Sequence, residues 1–134
     1  MPRSERLAGA AYSLMRVVFA FLYLCHGLMW LFGAFGGPPK AVLPLPPHLI
    51  AAGIIETVGG TLMIAGLFTS WVAFIASGEM AVAYFMVHAP SGFFPIGNRG
   101  EITVALCFGF LYMAAHGDGP ISLGALRALS RSRR

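Results

Sequence analysis

The chain has 134 residues, enough for one small domain, with 57% hydrophobic and only 10% charged side chains. An average soluble domain carries roughly 25% charged residues, so a chain this apolar is expected to leave little of itself in water. Nine basic residues against five acidic ones give a net charge of +4, and this composition excludes disorder and a disulfide-rich scaffold.

Four stretches approach the ~20 apolar residues needed to cross a bilayer core. The first runs from about Ala11 to Phe35 and is interrupted only by Arg16 and His26. Its apolar run is much longer than that of a signal peptide, and no small-residue cleavage site follows. Gly36-Gly37-Pro38-Pro39 and Pro44-Leu45-Pro46-Pro47 make the first connection irregular, because proline removes a donor and stops a helix. The second stretch, about Leu49 to Phe68, holds Glu56, and the third, about Ser70 to His88, holds Glu79. Thr69-Ser70 is expected to form the whole connection between them, giving a tight antiparallel hairpin. A loop from Ala89 to Gly100, rich in proline and glycine, leads to the fourth stretch, Glu101 to His116. Gly117, Gly119 and Pro120 end that helix. The expected fold is an all-α membrane protein: a single domain over 1–134, forming a four-helix transmembrane bundle.

Positive residues stay on the cytoplasmic side. The two tails carry Arg3, Arg6, Arg127, Arg131, Arg133 and Arg134, whereas the first and third loops carry only Lys40 and Arg99. Both termini are therefore expected in the cytoplasm. The basic residues are too concentrated at one end to read as a nucleic-acid surface, so no nucleic acid is expected as partner.

A charged side chain at membrane depth costs at least ~2.5 kcal/mol, so each needs a reason to be there. At ~1.5 Å per residue, His26 and Glu56 each lie roughly 10 Å, and Glu79 roughly 13 Å, below the outer ends of their helices. Ala52, Gly53, Gly59 and Gly60 flank Glu56, and Ala76 and Ala83 flank Glu79. Small residues allow close helix approach and turn that face toward neighbouring helices. His88 and Glu101, with Asn98 and Arg99 nearby, close the same region at the rim. His26, Glu56, Glu79, His88 and Glu101 are thus the candidate polar cluster. It can be a ligand, proton or redox site, or an interhelical hydrogen-bond network that only fixes register.

The remaining chemistry is thinner. Arg16 lies near the inner end of its helix, where its guanidinium can snorkel to the headgroups, on a stripe with Tyr23, Gly27 and Trp30 that also packs. Cys25 and Cys107 are expected to be free packing residues, although a disulfide between them is geometrically open. With no CxxC, CxxCH or zinc-spaced Cys/His cluster, thioredoxin-like, c-type haem and zinc sites lack their ligands. No two histidines are level across the membrane, which disfavours bis-histidine haem. No E-x-x-H pair supports a metal at His26, Glu56 and Glu79, so no metal is expected. Phe93, Phe94, Trp30 and Trp71 fit interfacial belts.

Taken in order, these residues resemble the DoxX family of small bacterial four-helix membrane proteins. The resemblance runs from Arg16 to Leu123. Arg16, then His26-Gly27 with Gly33, match its first helix. Gly53-Ile54-Ile55-Glu56-Thr57-Val58-Gly59-Gly60 and Gly66-Leu67-Phe68-Thr69 match its second, and Glu79 to Phe85 with His88 its third. Gly92-Phe93-Phe94-Pro95, Asn98, Gly100-Glu101 and Gly117 to Leu123 complete the set. Trp30 stands where many members carry lysine, Asp118 replaces a proline, and Gly124 stands where an acidic residue is common.

The resemblance implies a bacterial inner-membrane protein related to subunits of thiosulfate:quinone oxidoreductase, quinol-oxidase and thiol-handling systems. The leading expectation is an integral membrane subunit of a quinone- or thiol-linked oxidoreductase assembly. Its polar cluster would hold a quinone headgroup, the one cofactor class expected, or relay protons. Carboxylates and a histidine supply hydrogen-bond partners and proton acceptors for that chemistry. No side chain here transfers electrons alone, so a redox role needs a partner protein or an external cofactor. The alternative is a non-enzymatic scaffold or accessory subunit with a purely structural cluster. The lipid bilayer is the first expected partner, and Gly-rich helices also favour a homo-oligomer.

Overall fold

The computed structural model describes residues 2–132. Arg133 and Arg134 of the basic tail lie outside the described residues. All regular elements among the described residues are helical. The first helix, α1 (Arg3–Phe32), begins well before the expected apolar run and stops at Gly33, whose left-handed conformation caps it. Two short 3-10 turns, Ala34–Gly36 and Lys40–Val42, carry the chain to α2 (Pro47–Ala65). Pro47 occupies the first turn of α2, where its missing N–H costs nothing.

The hairpin differs from expectation in its turn. Gly66, Leu67 and Phe68 connect α2 to α3 (Thr69–Ala83), and Thr69-Ser70 are the first residues of α3. Asp118 explains the early start, because its Oδ1 accepts the Thr69 N–H at 2.8 Å and satisfies one of the orphan donors of a helix N-terminus. Beyond Ala83 the chain widens into a π-turn, Tyr84–His88. A 3-10 turn at Ala89–Ser91 and a helical turn at Pro95–Asn98 follow. The fourth apolar helix, α4 (Glu101–His116), has the expected limits. A short helix absent from the sequence expectation, α5 (Leu123–Arg131), ends the described chain.

Among the described residues, three helical segments are long and apolar enough to cross a membrane: Arg3–Phe32, Pro47–Ala65 and Thr69–Ser91. α4 is a shorter apolar helix. Large apolar side chains cover their outer surfaces: Phe21, Ile54, Phe74, Val82 and Phe108 are all exposed. Such a surface belongs against lipid rather than water. The chain is an α-helical membrane protein.

α1 packs along α2 and α3 along α4, with lighter contacts joining the two pairs. Glycine sets the α1–α2 distance. A Cβ at Gly60 would stand 2.8 Å from the Leu24 Cβ and 2.9 Å from the Ala20 carbonyl oxygen, so the two backbones meet only because nothing is there. Ala20, Met63, Ala73, Ala76 and Phe110, one or two from each apolar helix, are 0% exposed. They form an apolar layer across the middle of the molecule, with polar side chains buried on either side of it.

Candidate functional site

The end where α1 begins is organised by Arg16. Its side chain is only 1% exposed, so the expected snorkelling to headgroups does not occur. The reason is register: Tyr12, Arg16, Ala20, Tyr23 and Gly27 form the buried stripe of α1, and a residue on that stripe points at the other helices. The guanidinium donates to the carbonyl oxygens of Asp118 and, at 2.9 Å, Ile121. Its planar fork suits two acceptors at once. Gly66 makes room for this contact. It has φ +65, and a Cβ there would run into Arg16 and Ser122. Tyr12 donates to the Gly117 carbonyl at 2.5 Å, so both α1 side chains pin the segment after α4.

On the far side of the apolar layer, α1, α2 and α3 converge on three oxygen-bearing side chains. The Tyr23 hydroxyl donates to the Glu79 carboxylate. Glu56 is 5% exposed, and its Oε2 is buried without a hydrogen-bond partner. The Tyr23 ring lies against Gly59, one turn along α2 from Glu56. Beside it, the Thr57 Oγ1 is also buried and unpaired. Small residues make this convergence possible, as the spacing around Glu56 and Glu79 predicts: Gly53, Gly59, Gly60 and Ala76 are all buried.

The structure does not place the other expected members with the carboxylates. His26 is exposed, and its Nδ1 pairs with the Leu22 carbonyl of its own helix at 3.0 Å. It has the right depth but the wrong rotation, lying off the buried stripe that carries Tyr23 and Gly27. Glu101 is exposed at the first residue of α4, where a carboxylate favours the positive helix end.

His88 belongs to a separate network at the rim. Its Nδ1 pairs with the Asn98 carbonyl at 3.1 Å and its Nε2 with the Thr103 hydroxyl at 3.2 Å. Asn98 in turn donates to the Tyr84 hydroxyl at 3.1 Å and the Gly92 carbonyl at 2.6 Å, and accepts from the Gly100 N–H at 2.8 Å. With both ring nitrogens engaged, His88 has no lone pair to spare for a ligand. This network ties the π-turn to α4.

Tyr23 is the member that spacing along the chain passes over. A signal for it existed, since Tyr23 follows Arg16 by two helical turns on one face and precedes Gly27 by one. Among the described residues no group of three or more His, Cys, Asp or Glu side chains could hold a metal ion. Cys25 and Cys107 are both free thiols, and the Cys107 carbonyl accepts the Ser77 hydroxyl at 2.8 Å.

Two cavities flank these networks. One, about 290 Å³, is an apolar groove between α3 and α4 lined by residues that include Met80, Tyr84, Phe85, Phe93 and Phe108. The other, about 420 Å³, lies at the opposite end beside Arg6, Tyr12, Tyr112 and His116. Neither is lined by Glu56 or Glu79.

Apolar helices around a few buried polar groups define a small integral membrane protein. The chain belongs to the DoxX family, whose model matches residues 11–89. It is similar to an uncharacterized protein of Haemophilus influenzae, with 41% identity over 116 residues, covering 81% of this chain and 84% of that protein. No solved structure matches the chain.

Proposed function

We propose that the protein is a membrane subunit of a quinone- or thiol-linked oxidoreductase assembly, and that Tyr23, Glu56 and Glu79 form its proton-exchanging site. The observation that carries this reading is the buried Glu56 Oε2 with no partner, on the helix whose Gly59 meets the ring of Tyr23, with the Tyr23 hydroxyl engaged by a second carboxylate. A buried polar atom without a partner is costly; a ligand's polar group would remove that cost, and a proton would remove the larger cost of a buried charge. A quinone carbonyl accepts a hydrogen bond, so protonated Glu56 fits the chemistry of a quinone headgroup. The apolar groove beside Tyr84 and Phe108 has the character of a seat for a flat lipid-soluble molecule. The link to an oxidoreductase rests on family membership, and a quinone would be a substrate supplied from the bilayer.

In this reading α1–α4 form a four-helix transmembrane bundle in a bacterial inner membrane, with both termini in the cytoplasm. The second reading is a scaffold subunit. It is favoured by the rim network of Tyr84, His88, Asn98 and Thr103, whose hydrogen bonds are spent entirely on holding the loop.

Purification in mild detergent, identification of co-purifying proteins and extraction of bound quinone test the assembly. The assay is the redox activity of that isolated complex with wild-type protein, Glu56→Gln or Glu79→Gln. The proposal expects a loss of tenfold or more with either variant. Full activity in a stable Glu56→Gln/Glu79→Gln complex would leave the scaffold reading standing.

A further inference from the structure

α5 is built unlike the rest of the molecule. Leu126 and Leu129 lie on one side of it, and Arg127 and Arg131 on the other. All four are exposed, and no residue of the helix is buried against α1–α4. A helix with an apolar face and a basic face, neither covered by protein, has the composition of one that lies in a membrane interface. From Gly119 to Arg134 the sequence has four arginines and no acidic residue.

The start of α5 is fixed in place. The Gly124 N–H donates to the Gly66 carbonyl at 3.0 Å, which ties the helix to the α2–α3 turn. The Ser122 hydroxyl oxygen caps it by accepting the Ala125 N–H at 3.0 Å. Arg16 holds the Ile121 carbonyl just before it. These contacts keep the first turn of α5 at the end of the apolar helices, the level at which a bilayer passes from hydrocarbon to headgroup. Arg3 and Arg6, at the start of α1, are exposed at this same end.

We infer that α5 lies flat on the bilayer surface at this end of the molecule and that Arg127 and Arg131 bind the headgroups of anionic phospholipids. Leu126 and Leu129 sink into the upper acyl region, which sets the roll of the helix and brings the arginines level with lipid phosphates. Phosphate suits arginine because the guanidinium fork donates two parallel hydrogen bonds. This inference is independent of the proton-exchange reading, since α5 touches none of Tyr23, Glu56 or Glu79.

The test uses the full-length protein in lipid nanodiscs made of phosphatidylcholine alone or with added phosphatidylglycerol. Amide hydrogen exchange across 125–131 is the readout. Attraction to an anionic surface is worth about fivefold per arginine, or roughly thirtyfold for the pair. Exchange in α5 is therefore expected to be roughly thirtyfold slower with phosphatidylglycerol present. Arg127→Gln/Arg131→Gln is expected to abolish this difference, and Arg127→Lys/Arg131→Lys to keep most of it. Leu126→Ser/Leu129→Ser is expected to speed exchange in both kinds of disc.

Equal exchange in the two lipids would overturn the inference. So would loss of protection as complete with the lysine pair as with the glutamine pair. Protection that arises only on adding a soluble protein fraction would assign α5 to a protein partner instead.

Discussion

The Tyr23 hydroxyl on α1 donates to the Glu79 carboxylate on α3, so the two helix pairs meet through a hydrogen bond as well as through packing. Removing the donor tests its weight. Interhelical hydrogen bonds inside membranes average ~0.6 kcal/mol and reach ~1.7 kcal/mol. Tyr23→Phe keeps the ring against Phe110, 5.0 Å away between centroids, so it is expected to cost about 1 kcal/mol. Reversible unfolding in mixed detergent micelles measures it.

Arg16 is a stronger structural element. Its loss strands the carbonyls of Asp118 and Ile121 beneath the helices. Hydrogen bonds to charged groups are worth about 1.5–3 kcal/mol each. Arg16→Ala is expected to cost about 3 kcal/mol or more and to expose residues 117–122 to protease. Arg16→Lys is expected to recover little, because an ammonium does not reproduce the fork. Unfolding curves and the cleavage pattern check both variants.

The glycines separate in the same assay. Gly60→Ala places a Cβ against Leu24 and the Ala20 carbonyl and is expected to destabilise by 1 kcal/mol or more, roughly the cost of overpacking. Gly78 faces open space, so Gly78→Ala is expected to stabilise by up to about 1 kcal/mol through helix propensity. Opposite signs from one chemical change would distinguish close helix approach from general sensitivity to mutation.

Asp118 supplies a fourth test. Asp118→Ala removes the acceptor for the Thr69 N–H. It is expected to cost about 0.5–2 kcal/mol, as for a lost N-terminal cap. Asp118→Asn keeps an acceptor oxygen and is expected to retain most of that stability. Hydrogen exchange at the first turn of α3 reports the change locally.

The limits of α4 were legible in the sequence because Gly100 and Gly117 bracket an uninterrupted apolar run. The early start of α3 was less so, because its cap comes from Asp118, far along the chain. Depth could be counted along each helix, and it brought Glu56 and Glu79 to one level. Rotation could not. Lipid is as apolar as a protein core, so these helices are apolar on nearly every face and show little periodicity. His26 and Tyr23 illustrate the result: the histidine had the expected depth and turned outward, while the tyrosine three residues earlier faced the carboxylates. In α5 the leucine and arginine pattern is present in the sequence, but over nine residues the arginines read as a charged tail.

The apolar layer of Ala20, Met63, Ala73, Ala76 and Phe110 lies between the Glu56 and Glu79 pair and the Arg16 anchor. The buried polar side chain next to this layer, Ser77, spends its hydroxyl on the Cys107 carbonyl. In the proton-exchange reading, a proton taken up at either carboxylate would return toward the side from which it arrived. Under the proposed function, the site would serve a reaction at one face of the membrane without carrying protons across it, so its activity would not drain an ion gradient.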